Sequence, residues 1–264
     1  MTINFNHLMA GKKGLIMGVA NERSIAWGIA KFLHQAGAEL FFTYQNDTYG
    51  ARVVPLVKTL MGRDNTICCM VEKDQDVEKS INTAFEKLHG LDFVVHSLAF
   101  SDKNELDGRF VYTTKENFLK SMEISCYSFI LTARAATMVM KNGGSLLTLS
   151  YEGAVRVMKN YNVMGVCKSA LESSVRYLAD DLGKYNIRVN ALSAGPMKTL
   201  AGSAVASGRA TFNWQGKHNP LRRNMALDDI GGAAVYLLSD LSAGVTGEVH
   251  FVDGGYNIVG MMAT

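Results

Sequence analysis

A tyrosine and a lysine, Tyr161 and Lys168, stand seven residues apart in the run NYNVMGVCKSALESSVRYLADDLG (160–183). From Asn162 onward the apolar spacing predicts a helix. At about 100° per residue, seven steps return to within ~20° of the starting face, about 10 Å further along the axis. An extended ligand lying across that face touches both side chains. A neighbouring ammonium is expected to pull the phenol below its ordinary pKa of about 10, favouring proton donation, and it offers donors to ligand hydroxyls. Taken alone, such a pair reads as ordinary surface side chains. Its weight comes from the later segment Asn190-Ala-Leu-Ser-Ala-Gly195-Pro196-Met-Lys-Thr199, where Gly and Pro end an apolar run. Strand ends of this kind form the edge at which open α/β sheets take ligands.

A second constellation follows the first apolar run: Gly18-Val-Ala-Asn-Glu-Arg-Ser24-Ile25-Ala-Trp-Gly28. The usual dinucleotide fingerprint has three closely spaced glycines. Here the first and last remain, with a longer polar loop between them. Gly18 permits a sharp turn, Ser24 and the free amides of a helix N-terminus face a pyrophosphate, and Gly28 is expected to let the helix approach the sheet. The next strand end, TYQND (43–47), offers Gln45 and Asp47, and the nearest basic residue is Arg52. A ribose 2′-hydroxyl wants an acceptor and a 2′-phosphate wants Arg or Lys. The expected cofactor is therefore NADH (NAD+) rather than NADPH. The plainer reading is that Gln45 only caps a turn.

The elements that must position these groups are legible as a rhythm. Apolar runs at 13–19, 39–44, 66–71, 91–100, 144–150, 187–193 and 248–253 alternate with segments of helical spacing. Continuous apolar strands alternating with helices imply a parallel sheet covered on both faces, that is, a seven-stranded doubly wound (Rossmann) α/β fold. Ser24 is expected to cap the first helix, which buries Ile25, Ile29, Phe32 and Leu33 before Gly37 ends it. Asp228 is expected to cap a later helix that buries Ile230, Ala234 and Leu237. Residues 196–226 show no clear element. A loop of that length reads as a substrate lid on one domain spanning 1–264.

Composition removes other classes. The chain has 264 residues, 48% apolar and 19% charged, which reads as globular. A net charge of +3 argues for no nucleic-acid partner. No uncharged apolar run approaches the ~18 residues of a membrane helix, and the N-terminus lacks the apolar stretch of a secretory signal. Cysteines 68, 69, 126 and 167 have no metal spacing and read as buried thiols in a reducing, cytoplasmic setting. The six histidines are scattered, so no metal is expected.

The VDGG tail (252–255), the AGP-x-x-T turn (194–199) and the Gly-rich first turn together resemble the short-chain dehydrogenase/reductase family. Most of that family carries Tyr-x3-Lys, but Met164 occupies that tyrosine's place here. The chain instead resembles the divergent branch with Tyr-x6-Lys and Gly-x5-Ser-Ile-Ala, the bacterial NADH-dependent enoyl-acyl-carrier-protein reductases of fatty-acid elongation. FTYQND, LTLSY, NYNVMG, RVNALSAGP and SDLSAGVTGEV carry the similarity, which runs from about residue 10 to 260. Tyr151 stands where the wider family has a catalytic serine.

That resemblance implies roles. Tyr161 would donate a hydrogen bond to a thioester carbonyl, Lys168 would hold the nicotinamide ribose, and Tyr151 would line the reaction chamber. Gly18, Ser24, Ile25, Gln45, Val71 and Leu98 would line the cofactor site with Lys168 and the run Met197, Lys198, Thr199, Leu200, Ala201. Ser101 and Met164 would face the acyl group. Ile25, Val71, Leu98 and Met164 also read as simple core. Met70, Ala99 and Gly208 depart from the branch pattern of Asp, Gly and an aromatic. A homotetramer is implied, and the apolar tail 256–264 is consistent with it. An acidic acyl carrier protein is the implied partner, facing Lys198, Arg209, Lys217, Arg222 and Arg223 around the lid. Two other readings stay open at this point: a carbonyl (3-ketoacyl thioester) reductase on the same fold, and a nucleotide-sensing regulator without chemistry.

Overall fold

The computed structural model describes residues 7–200, 202 and 208–260. Ala201 and the last four residues of the apolar tail lie outside them. Seven strands form one parallel sheet: β1 (Lys13–Met17), β2 (Glu39–Tyr44), β3 (Thr66–Cys68), β4 (Phe93–His96), β5 (Gly144–Ser150), β6 (Ile187–Ala194) and β7 (Val249–Val252). Their order is β3-β2-β1-β4-β5-β6-β7. The chain thus winds outward from β1 in one direction and returns beside it with β4, and the crevice where the order reverses is the ligand-binding position of such sheets.

The helices are α1 (Ile25–Gln35), α2 (Asp47–Met61), α3 (Asp74–Leu88), a short α4 (Lys103–Leu106), α5 (Lys115–Met122), α6 (Ser128–Val139), α7 (Val163–Gly183), α8 (Gly208–His218) and α9 (Leu227–Leu238). A π-helical turn, Glu123–Tyr127, joins α5 to α6. Strand alternation separates two cores. Leu15 and Met17 pack with Val77 and Ile81 of α3, Phe129 of α6 and Leu171 of α7. Ile16, between them, packs on the other side with Ile29 and Leu33 of α1, Val53 of α2 and Ile230 of α9. The inner strands β1, β4, β5 and β6 bury both faces, which is why their sequences are mostly apolar, whereas the edge strands β3 and β7 are only partly buried.

Several local expectations change. The 66–71 run is a strand only to Cys68, and the 91–100 run only from Phe93 to His96. The chain leaves the sheet at both places to wall the crevice. Gly28 is not a helix–sheet contact: a Cβ there would stand 2.8 Å from the Leu227 side chain, so the small residue lets α1 meet α9. Ser24 does occupy the N-cap position, but its side chain makes no cap bond to the helix. Its Oγ instead accepts from Ala20 N (3.0 Å) and Asn21 N (3.1 Å) and closes the preceding loop. The cap of α9 is Ala226, not Asp228, and the Asp229 carboxylate reaches back to the Ala226 N–H at 2.8 Å. The 196–226 excursion holds α8, whose apolar spacing is too irregular to stand out in the sequence. Three cysteines are buried, but Cys68 is exposed.

Candidate active site

A cleft of about 820 Å³ runs along the carboxyl ends of the strands. That size is within the roughly 300–1,000 Å³ of cofactor and substrate pockets. Successive strand exits wall it: Gly18 after β1, Gln45 after β2, Val71 after β3, Leu98 after β4, Tyr151 after β5 and Met197 after β6. Gly18 sits at φ 99°, and a Cβ on it would come within 2.0 Å of the Ser97 carbonyl oxygen. Only glycine allows that approach. Ser24 and Ile25 bring the N-terminus of α1 into the cleft. Because Ser24 Oγ is spent on the loop, it leaves the helix end to an incoming anion, as a pyrophosphate needs. These features fit a dinucleotide lying across the sheet edge.

At the other end of the cleft, Tyr161, Lys168 and Tyr151 come together. The rings of Tyr151 and Tyr161 pack edge to face, with centroids 5.0 Å apart. Tyr161 is not on the helix as its spacing suggested. α7 begins at Val163, and Asn162 precedes it with φ 38°. Asn162 Nδ2 donates to the Glu105 carbonyl at 3.0 Å, fixing that bend. The phenol and the ammonium nevertheless face one cavity. Lys168 is only 5% exposed and donates from Nζ to Leu149 O at 2.6 Å.

Burial sets the protonation of this end. It drives the Tyr161 phenol up, with a smaller push from Tyr151, and drives Tyr151 up as well. The expectation that Lys168 would lower the phenol is therefore wrong: lost hydration dominates, and the ammonium donates to a backbone carbonyl instead. Both phenols are firmly protonated donors. Burial also lowers Lys168 to about 8, so at neutral pH the ammonium persists with little margin.

Beneath this end lie groups that spacing did not reveal. His96 is fully buried in β4, between Ser128 Oγ (2.8 Å from Nε2) and Thr148 Oγ1 (3.1 Å from Nδ1). Burial, and then the Lys168 charge, hold it down to about 3, so it is neutral. Ser128 Oγ spends its proton on Ile124 O at 2.7 Å, so it accepts from Nε2–H. Glu172, one turn beyond Lys168, accepts from Ser150 Oγ at 2.5 Å. The only sequence signal for either was a polar residue at a position otherwise buried by strand or helix periodicity.

Comparison with known proteins decides the family. A family model described as enoyl-(acyl carrier protein) reductase matches residues 18–257. A relative from Rhizobium meliloti (strain 1021), an enoyl-(acyl-carrier-protein) reductase (NADH) 2, is 56% identical, covering 97% of this chain and 95% of that protein. The crystal structure of the Anaplasma phagocytophilum reductase in complex with NAD is similar at a TM-score of 0.94 and 55% identity, covering 98% of each chain. The Bacillus cereus enoyl-acyl carrier protein reductase, with NADP+ and an indole naphthyridinone, matches at TM-score 0.94 and 45% identity, covering 97% of this chain and 100% of that one. This chain belongs to the enoyl-(acyl carrier protein) reductase family.

Thr199 and Leu200 line the cleft with Met197, and so do Ser101 and Met164. Lys198 does not; its ammonium stands 4.7 Å from the Phe212 ring centroid on α8. Ala201 falls outside the described residues. Of the three departures, Ala99 and Gly208 line the cleft, while Met70 does not. The Met70 N–H is taken by Asp76 Oδ2 at 3.1 Å. Among the described residues no group of three or more potential ligands could hold a metal, and no helix is long and apolar enough to cross a membrane.

Proposed function

We propose that this chain reduces the trans-2 double bond of enoyl thioesters on acyl carrier protein, with NADH, in bacterial fatty-acid elongation. One observation carries the reading: two half-buried, protonated phenols and one buried ammonium share a cleft with a helix N-terminus and a Gly18 turn suited to a dinucleotide. Bound NADH supplies a hydride for the β-carbon of the enoyl group. Negative charge would then build on the thioester oxygen, with the Tyr161 hydroxyl as its hydrogen-bond donor, and a proton from solvent at the α-carbon completes the reduction. A preorganised donor of that kind lowers the barrier by about 2.7–4 kcal/mol. Lys168 holds a ribose hydroxyl and keeps a positive charge beside the developing enolate. Tyr151 excludes water and packs Tyr161 in place. Gln45 accepts from a ribose hydroxyl at the far end, with Val71, Leu98, Met197, Thr199 and Leu200 along the cofactor. Ser101 and Met164 face the acyl chain.

The raised Tyr161 also weighs against ketone reduction, where the tyrosine must give up its proton to an alkoxide. Steady-state oxidation of NADH is the test, with a crotonyl and an acetoacetyl thioester in parallel. Turnover of the crotonyl substrate alone is expected. Turnover of the keto substrate alone overturns the reading, and cofactor binding without turnover of either points to a regulator.

The carrier protein is acidic by this reading and meets the basic residues around α8. Arg223 contributes least of them, because Asp229 already takes both its terminal nitrogens, at 2.7 and 2.8 Å. The assembly is read as a cytoplasmic homotetramer of a single reductase domain, which accounts for the exposed apolar side chains of Val157, Tyr177 and Ile258.

A further inference from the structure

Two side chains one turn apart on α7 grip successive residues of β5. Lys168 Nζ donates to Leu149 O at 2.6 Å, and Glu172 accepts from Ser150 Oγ at 2.5 Å. Residues four apart on a helix lie side by side, with Cβ atoms about 5–6 Å apart. Leu149, Ser150 and Lys168 all line the cleft, so the strand end that walls the reaction chamber is fixed from behind by a cation and an acid. Glu172 itself does not line it and is only 6% exposed. A carboxylate taken out of water is costly unless donors or an opposite charge compensate it. Burial pushes its carboxyl up, and the Ser150 hydroxyl, Arg176 and Lys168 oppose that rise.

The other groups around Lys168 carry no negative charge. On its own helix, burial pushes the Cys167 thiol up to about 12. From the π-helical turn, burial raises Cys126 as well. From β4, His96 is held down to about 3 and is neutral. The phenols of Tyr151 and Tyr161 keep their protons. Arg176, one turn beyond Glu172, is an exposed cation. Glu172 is therefore the one anion that faces the ammonium among the described residues. An ammonium has three donors. One goes to Leu149 O, which leaves two for a ribose. We infer that Glu172, oriented by Ser150, is the counter-charge that fixes the Lys168 ammonium for the nicotinamide ribose. Glu172 is a positioning residue, acting through Lys168 rather than on the substrate. This inference rests on the proposed use of NADH and adds the group that keeps its lysine in place.

The test follows the Lys168 proton directly, by NMR of the full chain carrying isotope-labelled lysine, without cofactor. The wild-type side chain is expected to titrate near pH 8. Glu172→Gln keeps an oxygen for the Ser150 hydroxyl and removes the charge. Its Lys168 should titrate about one pH unit lower, the effect of one nearby opposite charge. Glu172→Asp, which restores the charge, should recover most of that shift. The NADH dissociation constant gives a second readout. With midpoints near pH 8 and 7, the charged fraction at pH 8 falls from about one half to about one eleventh, so Glu172→Gln should bind NADH about fivefold more weakly at pH 8 and equally at pH 6. A merely structural role weakens binding at both. An unmoved Lys168 titration in Glu172→Gln, or equal weakening at the two pH values, overturns the inference. The carboxyl carbon signal of Glu172 in the wild type needs no variant: the acid should be ionised at about pH 7, and a protonated acid there overturns the inference as well. A wild type that turns over no crotonyl thioester overturns the functional reading instead, while the Lys168 titration still decides the role of Glu172.

Discussion

The two ends of the cleft use water in opposite ways. At the reacting end, Lys168, His96 and Glu172 are removed from solvent and Tyr161 is half-buried, and each is held by a specific partner or ring contact. At the adenosine end, Gln45 and Cys68 are exposed, and Glu72 is only half-buried. At the first end burial moves the pKa values of groups placed for reaction, whereas at the second it pushes up only the Cys69, Cys68 and Tyr44 side chains and leaves exposed polar groups for recognition. The contrast teaches that reaction needs fixed charge in a low dielectric, while base and ribose reading needs only hydrogen-bond complementarity.

The largest break in that comparison is expected at Tyr161. Tyr161→Phe keeps the ring packed on Tyr151 and removes the donor, so kcat with a crotonyl thioester should fall about a hundredfold. NADH affinity, measured by titration, should stay within about twofold, because the hydroxyl serves the substrate oxygen.

Lys168→Met comes next and should split activity from stability. Loss of the ammonium is expected to lower kcat/KM about 10–100-fold, as for a lost charge-assisted hydrogen bond. The same change removes a buried cation whose pKa drops from 10.5 to about 8 on folding. At 1.36 kcal/mol per unit, that burial costs the native state on the order of 3 kcal/mol. Thermal unfolding of Lys168→Met should therefore shift upward. In the wild type, between those two pKa values the unfolded chain holds a proton that the folded chain has released. This residue's contribution to stability consequently rises with pH across the window, while kcat/KM falls above about pH 8.

His96→Leu sharpens the comparison from beneath. It leaves the Ser128 and Thr148 hydroxyls without their shared imidazole. Each hydroxyl keeps a backbone carbonyl, Ile124 O for Ser128 and the residue-96 carbonyl for Thr148, so a loss of about 1 kcal/mol for each lost imidazole bond is expected in denaturant melts. Without the substitution, His96 should give no protonation signal by NMR between pH 5 and 8, because it stays neutral. At the exposed end, Gln45→Arg should cost little stability and shift preference toward NADPH by about tenfold, since a guanidinium matches a 2′-phosphate. The smallest effect belongs to Arg222→Glu. It should raise KM for a carrier-bound substrate by about two- to fivefold and leave a coenzyme A thioester unchanged, an exposed charge being worth about 0.2–1 kcal/mol. Equal effects on both substrates remove the carrier contact.

Periodicity carried most of the fold. The seven apolar runs located all seven strands, and Gly18 and Gly37 marked real turns, because those signals are local in the chain. Caps were less legible. Ser24 and Asp228 have the right residue type, but neighbouring amides and Asp229 decided which atoms bonded. α8 was missed because a helix packed over a cleft presents no regular apolar stripe. In the site, type and spacing brought Tyr161 and Lys168 together even though the helix begins at Val163 and leaves Tyr161 ahead of it.

What the sequence determined by itself was which chemistry was available and which strand end each group would follow, since both are written in residue type and period. Tertiary structure alone decided the protonation of Tyr161 and Lys168, the neutrality of His96 and the partner of Gly28. Those depend on how much water and which distant backbone reach each atom, and neither is a property of neighbours along the chain.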